Sequence, residues 1–253
     1  MALSGESPEY IDNILASLRE KERDFKVGDN IYSSLGNRSL IAIEGPTGSG
    51  KTTVTTEVVR LDPDFYEIET ETTRQHRDGD PIVFHTGVSF TDFINDIVNE
   101  EFVNFNVIGR NAYGTKESGF KGPFAIGPMM SRSITQMLDG GLDEAFKDLV
   151  VIRMLVEEME YERRLRAERM HFSDFRPRII QAGESKEFAE AHIGTRWLHF
   201  VESTSAPDGA TKAARKIINI ANRNSGEFIT DSHARKMLEG MDRAMRRVAA
   251  DIQ

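Results

Sequence analysis

The chain has 253 residues, no cysteine and a formal charge of −9, from 41 acidic against 32 basic side chains. That composition excludes disulfides, thiolate metal sites and a thiol nucleophile, and its acidic balance is the wrong footprint for gripping a nucleic-acid backbone. No apolar run approaches the roughly 20 residues that span a bilayer, and Met1–Glu9 has no signal-peptide core, so a cytoplasmic protein without nucleic-acid or membrane partners is expected.

Ser7-Pro8 followed by Tyr10, Ile11, Ile14, Leu15 and Leu18 predicts a capped amphipathic helix running into the charged stretch 19–26. Residues 1–37 thus read as a helical extension that covers or contacts the main domain. Apolar, β-branched runs then predict strands at 39–44, 65–71, 82–86, 102–108, 123–127, 148–154 and 198–203. Helical segments are predicted at 51–60, 89–100, 131–138, 156–170, 178–192, 208–222 and 231–250. Strands alternating with helices argue for an α/β fold with a central parallel sheet covered on both faces. The polar, alternating strands near 82–86 and 102–114 look instead like a small antiparallel insert.

Asn222–Ser225 is the linker to a C-terminal helical extension, 223–253. Its stripe of Met237, Leu238, Met241, Met245 and Val248 is one-sided and needs a partner surface, in the same chain or in a homodimer built through the terminal helices. Six histidines (76, 85, 171, 192, 199, 233) show no metal-ligand spacing, and Trp197 reads as core.

The strongest signal is Gly45-Pro46-Thr47-Gly48-Ser49-Gly50-Lys51-Thr52, a complete G-x-x-x-x-G-K-[ST] loop between the run Leu40–Ile43 and the predicted helix from Thr53. Glycines let successive N–H groups wrap an anion, and the helix N-terminus adds its positive dipole end. The expected triphosphate-binding set is Gly45, Pro46, Thr47, Gly48, Ser49, Gly50, Lys51, Thr52 and Thr53. Lys51 would lie between the terminal phosphates, and the Thr52 hydroxyl is the metal ligand, for Mg²⁺.

From this loop onward, over about residues 38–222, the chain resembles guanylate kinases, which move the ATP γ-phosphate to a nucleoside monophosphate. Three further segments carry the resemblance: Thr72-Thr73-Arg74-Gln75-His76-Arg77-Asp78-Gly79-Asp80; Glu101-Phe102 followed by Asn111-Ala112-Tyr113-Gly114-Thr115; and Arg163–Arg169 followed by Arg176 and Arg178. The resemblance implies a three-layer P-loop NTPase fold with an acceptor-binding insert near 72–115 and a lid near 163–178. It implies acceptor binding by Arg74, Arg77, Asn104, Tyr113 and Thr115. Guanidinium forks suit a dianionic phosphate because they bind it bidentately and stay charged.

Lys51, Arg164, Arg169 and Arg176 form the expected catalytic set, with Arg163, Arg166 and Arg178 as further lid arginines. Glu160–Arg164 and Glu162–Arg166 also have the i,i+4 spacing of a solvated ion-paired face. The partners implied are ATP and a phosphorylated small-molecule acceptor, GMP first. A kinase for another nucleotide or a sugar phosphate is one alternative; a non-catalytic phospho-ligand or protein-binding module is another.

Three positions depart from the family pattern. Ile82 stands where a second phosphate-binding Tyr is found, Asn104 where the guanine-reading Glu is found, and Gly127 where a strand-end acid is found. A carboxylate accepts twice, whereas an amide offers one acceptor and one donor group. Glu44 and Asp80 are the nearest acids to support a metal, and Glu44 could equally be a strand-end acid facing solvent.

Overall fold

The computed structural model describes residues 8–28, 31, 34–74, 85–168, 172–224 and 229–252. In chain order its elements are α1 (Pro8–Arg23), β1 (Ser39–Glu44), α2 (Lys51–Leu61), β2 (Phe65–Glu67), β3 (Thr70–Thr72), β4 (His85–Gly87), α3 (Phe90–Val98), β5 (Phe102–Ile108) and β6 (Asn111–Lys116). They continue with β7 (Phe124–Pro128), α4 (Ser131–Asp139), α5 (Leu142–Ala145), β8 (Asp148–Leu155), α6 (Glu158–Ala167), α7 (Phe172–His192), β9 (Leu198–Glu202), α8 (Gly209–Ala221) and α9 (Asp231–Ile252).

β1 is buried along its whole length, as a continuous apolar run must be when helices cover both faces of its sheet. It lies at the centre of a five-stranded sheet in the order β2-β7-β1-β8-β9, with every pairing parallel. Alternation along the strands splits the core into two layers. Ile41, Ile43 and Ile152 face Val54 and Val58 of α2 and Ala213 and Ile217 of α8. Leu40, Ala42 and Val151 belong to the opposite layer with Ile134, Phe188 and Met241, from α4, α7 and α9. This is the expected three-layer α/β arrangement.

The predicted strand 65–71 is two strands in two sheets. Ile68 N still bonds Ile126 O at 2.8 Å, but Glu69 N turns to Gly119 O, and the chain then enters a second sheet ordered β4-β3-β6-β5. There β3–β6 and β5–β6 are antiparallel while β3–β4 is parallel, so the insert is mixed and not wholly antiparallel. Residues 82–84 of the predicted strand 82–86 lie outside the described residues. α7 begins six residues before the predicted 178 and carries Pro177 within its second turn. The start of α6 is set by Glu157, whose carboxylate accepts the Met159 and Glu160 N–H groups.

Both terminal helices dock on the body of the same chain. α1 buries Leu15 and Leu18 against Phe90, Phe93, Phe102 and Phe105 of α3 and β5, forming a separate apolar cluster under the insert. The α9 stripe (Met237, Leu238, Met241, Met245, Val248) is buried in the main core, so the surface it needs is supplied within the chain. Burying such side chains is worth about 1.5–3 kcal/mol each, and five of them match the whole stability of an ordinary domain, about 5–15 kcal/mol. Deleting residues 224–253 should therefore leave a chain that is insoluble or lacks a cooperative thermal transition. A truncated chain with the full-length melting temperature would contradict this packing.

Candidate active site

The loop that leaves β1 turns back at Gly50, which precedes α2 with φ 89° and ψ 16°. A side chain there would meet both that left-handed backbone and Ser203 Oγ, 2.8 Å from where its Cβ would sit. Ser49 is buried and donates to Pro46 O at 2.8 Å, and Tyr161 of α6 donates to Thr47 O at 3.0 Å, so the loop is held from inside and from α6. The first turn of α2 holds no acid, and no side chain caps it. Its N–H groups and positive dipole end face the loop.

Lys51 Nζ donates to Gly45 O at 2.7 Å and Pro46 O at 2.8 Å. Burial lowers its pKa to about 8, partly opposed by the Glu44 carboxylate beneath it. Glu44 itself is buried. It accepts from Arg153 Nη1 at 2.6 Å and from Ser185 Oγ at 2.5 Å, and Arg153 also donates to Ser185. This corrects the alternative of a strand-end acid facing solvent, since Glu44 is 1% exposed and its oxygens accept from β8 and α7.

Two clefts open on either side of Lys51 and Thr47, which line both. One, of about 720 Å³, adds Glu44, Arg74, Tyr113 and Arg178. The other, of about 490 Å³, adds Gly48, Gly50, Thr52, Thr53, Arg164 and Ser203. Gly45 and Pro46 line the larger cleft. A side pocket of about 170 Å³ shares Ile108, Tyr113 and Met129 with the larger cleft and contains Asn104 and Thr115. Of the expected acceptor residues, Arg74 and Tyr113 thus line the cleft and Asn104 and Thr115 its side pocket, while Arg77 lies outside the described residues.

The lid arginines separate. Arg164 is fixed by Glu160 at 2.7 Å and reaches Ser203 Oγ at 3.0 Å and Gly48 O at 3.3 Å, beside the smaller cleft. Arg178 donates to Thr47 Oγ1 and Glu168 Oε2, each at 2.8 Å, and lines the larger cleft. Arg166 lies along the surface against Glu162, the pair its i,i+4 spacing allowed, and against Asp251, while Arg163 pairs with Glu160 three residues earlier. Arg176 is exposed and lines neither cleft. Arg169 and Asp80 lie outside the described residues.

Gly127 is where β7 meets Ile68. A Cβ on this residue would sit 3.0 Å from Ile68 Cβ, so a strand-end acid here would press on an apolar side chain that must shift by a few tenths of an ångström. Among the described residues no group of three His, Asp or Glu side chains could hold a metal. The Thr52 hydroxyl is exposed at the start of α2. Also among the described residues, no helix is long and apolar enough to cross a membrane.

Sequence reasoning missed Asn106 and Ser133, which line the side pocket, and the Arg153–Ser185 pair. Asn106 was accessible to it, because it is two residues from Asn104 on one strand and so shares its face.

No protein-family model matches the chain. Over 79 residues it is 35% identical to a guanylate kinase of Helicobacter hepaticus and 34% identical to one of Sulfurimonas denitrificans. Each alignment covers 30% of this chain, and they span only 39% and 38% of those relatives' lengths. In fold the chain matches the crystal structure of guanylate kinase from Anaplasma phagocytophilum with a TM-score of 0.50, at 15% identity, over 76% of this chain and 87% of that one. Over that stretch the chain is similar in sequence to guanylate kinases, and over most of its length it has a guanylate kinase-like fold.

Proposed function

We propose that the protein transfers the γ-phosphate of ATP directly to the phosphate of a nucleoside monophosphate, with GMP as the acceptor. The observation that carries this reading is the position of Lys51, at the junction of two clefts with different linings. The smaller cleft, with the first turn of α2, Thr52, Thr53 and Arg164, suits a triphosphate. The larger, with Arg74, Tyr113 and the side pocket, suits a phosphate carrying a base.

Phosphoryl transfer needs positioning and charge stabilisation more than covalent help. Lys51 would bind the terminal phosphates where the clefts meet, and Arg164 and Arg178 would add positive charge from the two sides. Bound Mg²⁺ would neutralise phosphate charge, with Thr52 as its protein ligand. An exposed hydroxyl on the first turn of α2 fits that role, since Mg²⁺ takes most of its ligands from water and phosphate. The test is an ADP-release assay with ATP and Mg²⁺ over the nucleoside monophosphates and a few sugar phosphates. ADP release with none of them would refute the proposal.

In this reading Arg74 binds the acceptor phosphate and not ATP. Arg74→Ala should raise the acceptor's KM or lower kcat/KM strongly, on the order of 30-fold or more for a lost charge-assisted contact, with ATP affinity nearly unchanged. Arg74→Lys should rescue only part of it, because an ammonium cannot reproduce the guanidinium fork. Weakened ATP binding with unaltered acceptor kinetics would reverse the assignment.

A further inference from the structure

The side pocket is polar without being charged. Thr70, Asn104, Asn106, Tyr113, Thr115 and Ser133 line it among apolar neighbours, and no carboxylate or cation does. Asn106 of β5 is 3% exposed and Ser133 of α4 is equally covered. Asn106 Nδ2 donates to Ser133 Oγ, and Asn106 Oδ1 has no hydrogen-bond partner in the protein. A buried amide oxygen left unmatched is unfavourable, and a ligand N–H in the pocket would satisfy it. Thr70, Thr115 and Asn104 are weakly engaged: the Thr70 and Thr115 hydroxyls are 3.5 Å apart, and Asn104 Nδ2 lies 4.0 Å from Met137 Sδ.

We propose that Asn106, oriented by Ser133, reads the acceptor's base through one amide pair and that the site therefore takes 6-oxopurine monophosphates with or without a 2-amino group, IMP as well as GMP. The proposal rests on the function proposed above. Asn106 Oδ1 accepts the ring N1–H, and the second Nδ2 hydrogen is given to the adjacent 6-oxo group, so one amide satisfies one keto–imino edge. The 2-amino group of guanine would need a further acceptor. The pocket supplies only neutral ones, each worth about 0.5–1.5 kcal/mol net. Such a contact separates GMP from IMP by no more than roughly tenfold, whereas a polar edge fully paired by the site can discriminate by roughly 10⁴-fold. Ser133 is a positioning residue, acting only through the Asn106 amide.

The test uses the full chain with ATP and Mg²⁺, comparing kcat/KM for GMP and IMP in the wild type, Asn106→Ala and Ser133→Ala. The expected result is IMP within about tenfold of GMP. Asn106→Ala should raise KM for both by about tenfold or more, with ATP KM unchanged. Ser133→Ala should give a smaller rise that leaves the GMP-to-IMP ratio alone. A wild-type preference for GMP over IMP of a hundredfold or more overturns the proposal, as does an unchanged acceptor KM in Asn106→Ala. Should Asn106→Ala fail to fold, the wild-type ratio and Ser133→Ala still decide it. If no monophosphate is phosphorylated, the kinase reading fails by itself. Calorimetric titration of GMP and IMP then tests the pocket, equal affinities supporting it and binding of GMP alone, or of neither, overturning it.

Discussion

Lys51→Ala should abolish most ATP binding, at a cost of about 2–5 kcal/mol, because the substitution leaves buried phosphate charge without its partner. That is a loss of roughly 30-fold to several thousandfold in affinity. The ammonium is already held by the Gly45 and Pro46 carbonyls with a pKa lowered to about 8 by burial. Phosphate beside it favours the charged form, so binding raises that pKa and takes up a proton wherever the free protein has lost one. ATP affinity should therefore be level below pH 7 and fall as the pH rises through 8 to 10.

Folding stability responds in the opposite sense. Between about 8 and the ordinary lysine value of 10.5 the unfolded chain binds more protons at this residue, so its contribution rises with pH over that window. Calorimetric titrations at several pH values, in buffers of different ionisation enthalpy, measure affinity and proton uptake together. Equal ATP affinity in wild type and Lys51→Ala, or no proton uptake at pH 8–9, would remove Lys51 from the site.

The second large effect is on stability and lies beneath the loop. Arg153 and Glu44 are each 1% exposed, and they share Ser185 from α7 as a third partner. Bringing both charges out of water is costly, so the pair is a poor source of net stability, but removing one partner strands the other in an apolar interior. Arg153→Met should cost about 3–5 kcal/mol, which in a chain of this size lowers Tm by roughly 6–20 °C. Ser185→Ala, which removes one hydroxyl from the same group, should cost about 1–3 kcal/mol. The double variant Glu44→Leu with Arg153→Met should recover most of the single-variant loss, because an apolar pair of similar volume leaves no charge unmatched. Denaturant titrations of the three variants give the comparison. A loss below about 1 kcal/mol in Arg153→Met would mean that Glu44 finds water or another partner.

The loop, the parallel sheet and the two terminal helices were legible in the sequence because each is encoded by contiguous residues. Glycines at 45, 48 and 50 followed by Lys51-Thr52 specify a backbone path within eight residues, and the runs at 39–44 and 148–154 specify strands buried on both faces. The stripe at 237–248 likewise specifies an apolar helix face. What local pattern cannot specify is which surface that face meets, and the fold places it in the main core of the same chain. The same limit applies across the site. The resemblance put Arg176 in the catalytic set and Arg163, Arg166 and Arg178 in the lid, but of these four only Arg178 lines the larger cleft, since the orientations of α6 and α7 decide which arginines face it. Local sequence left Glu44 open between a metal-supporting acid and a solvent-facing one, and the fold gives it Arg153 and Ser185 as partners, 109 and 141 residues away in the chain. Asn106 meets Ser133 across 27 residues, and Gly127 packs closely on Ile68 where the chain crosses between the two sheets. By itself the sequence determined the elements whose geometry is local, and only the tertiary structure decided which charged and polar groups are paired with each other and which are left facing the clefts, because those pairings join residues that no spacing rule connects.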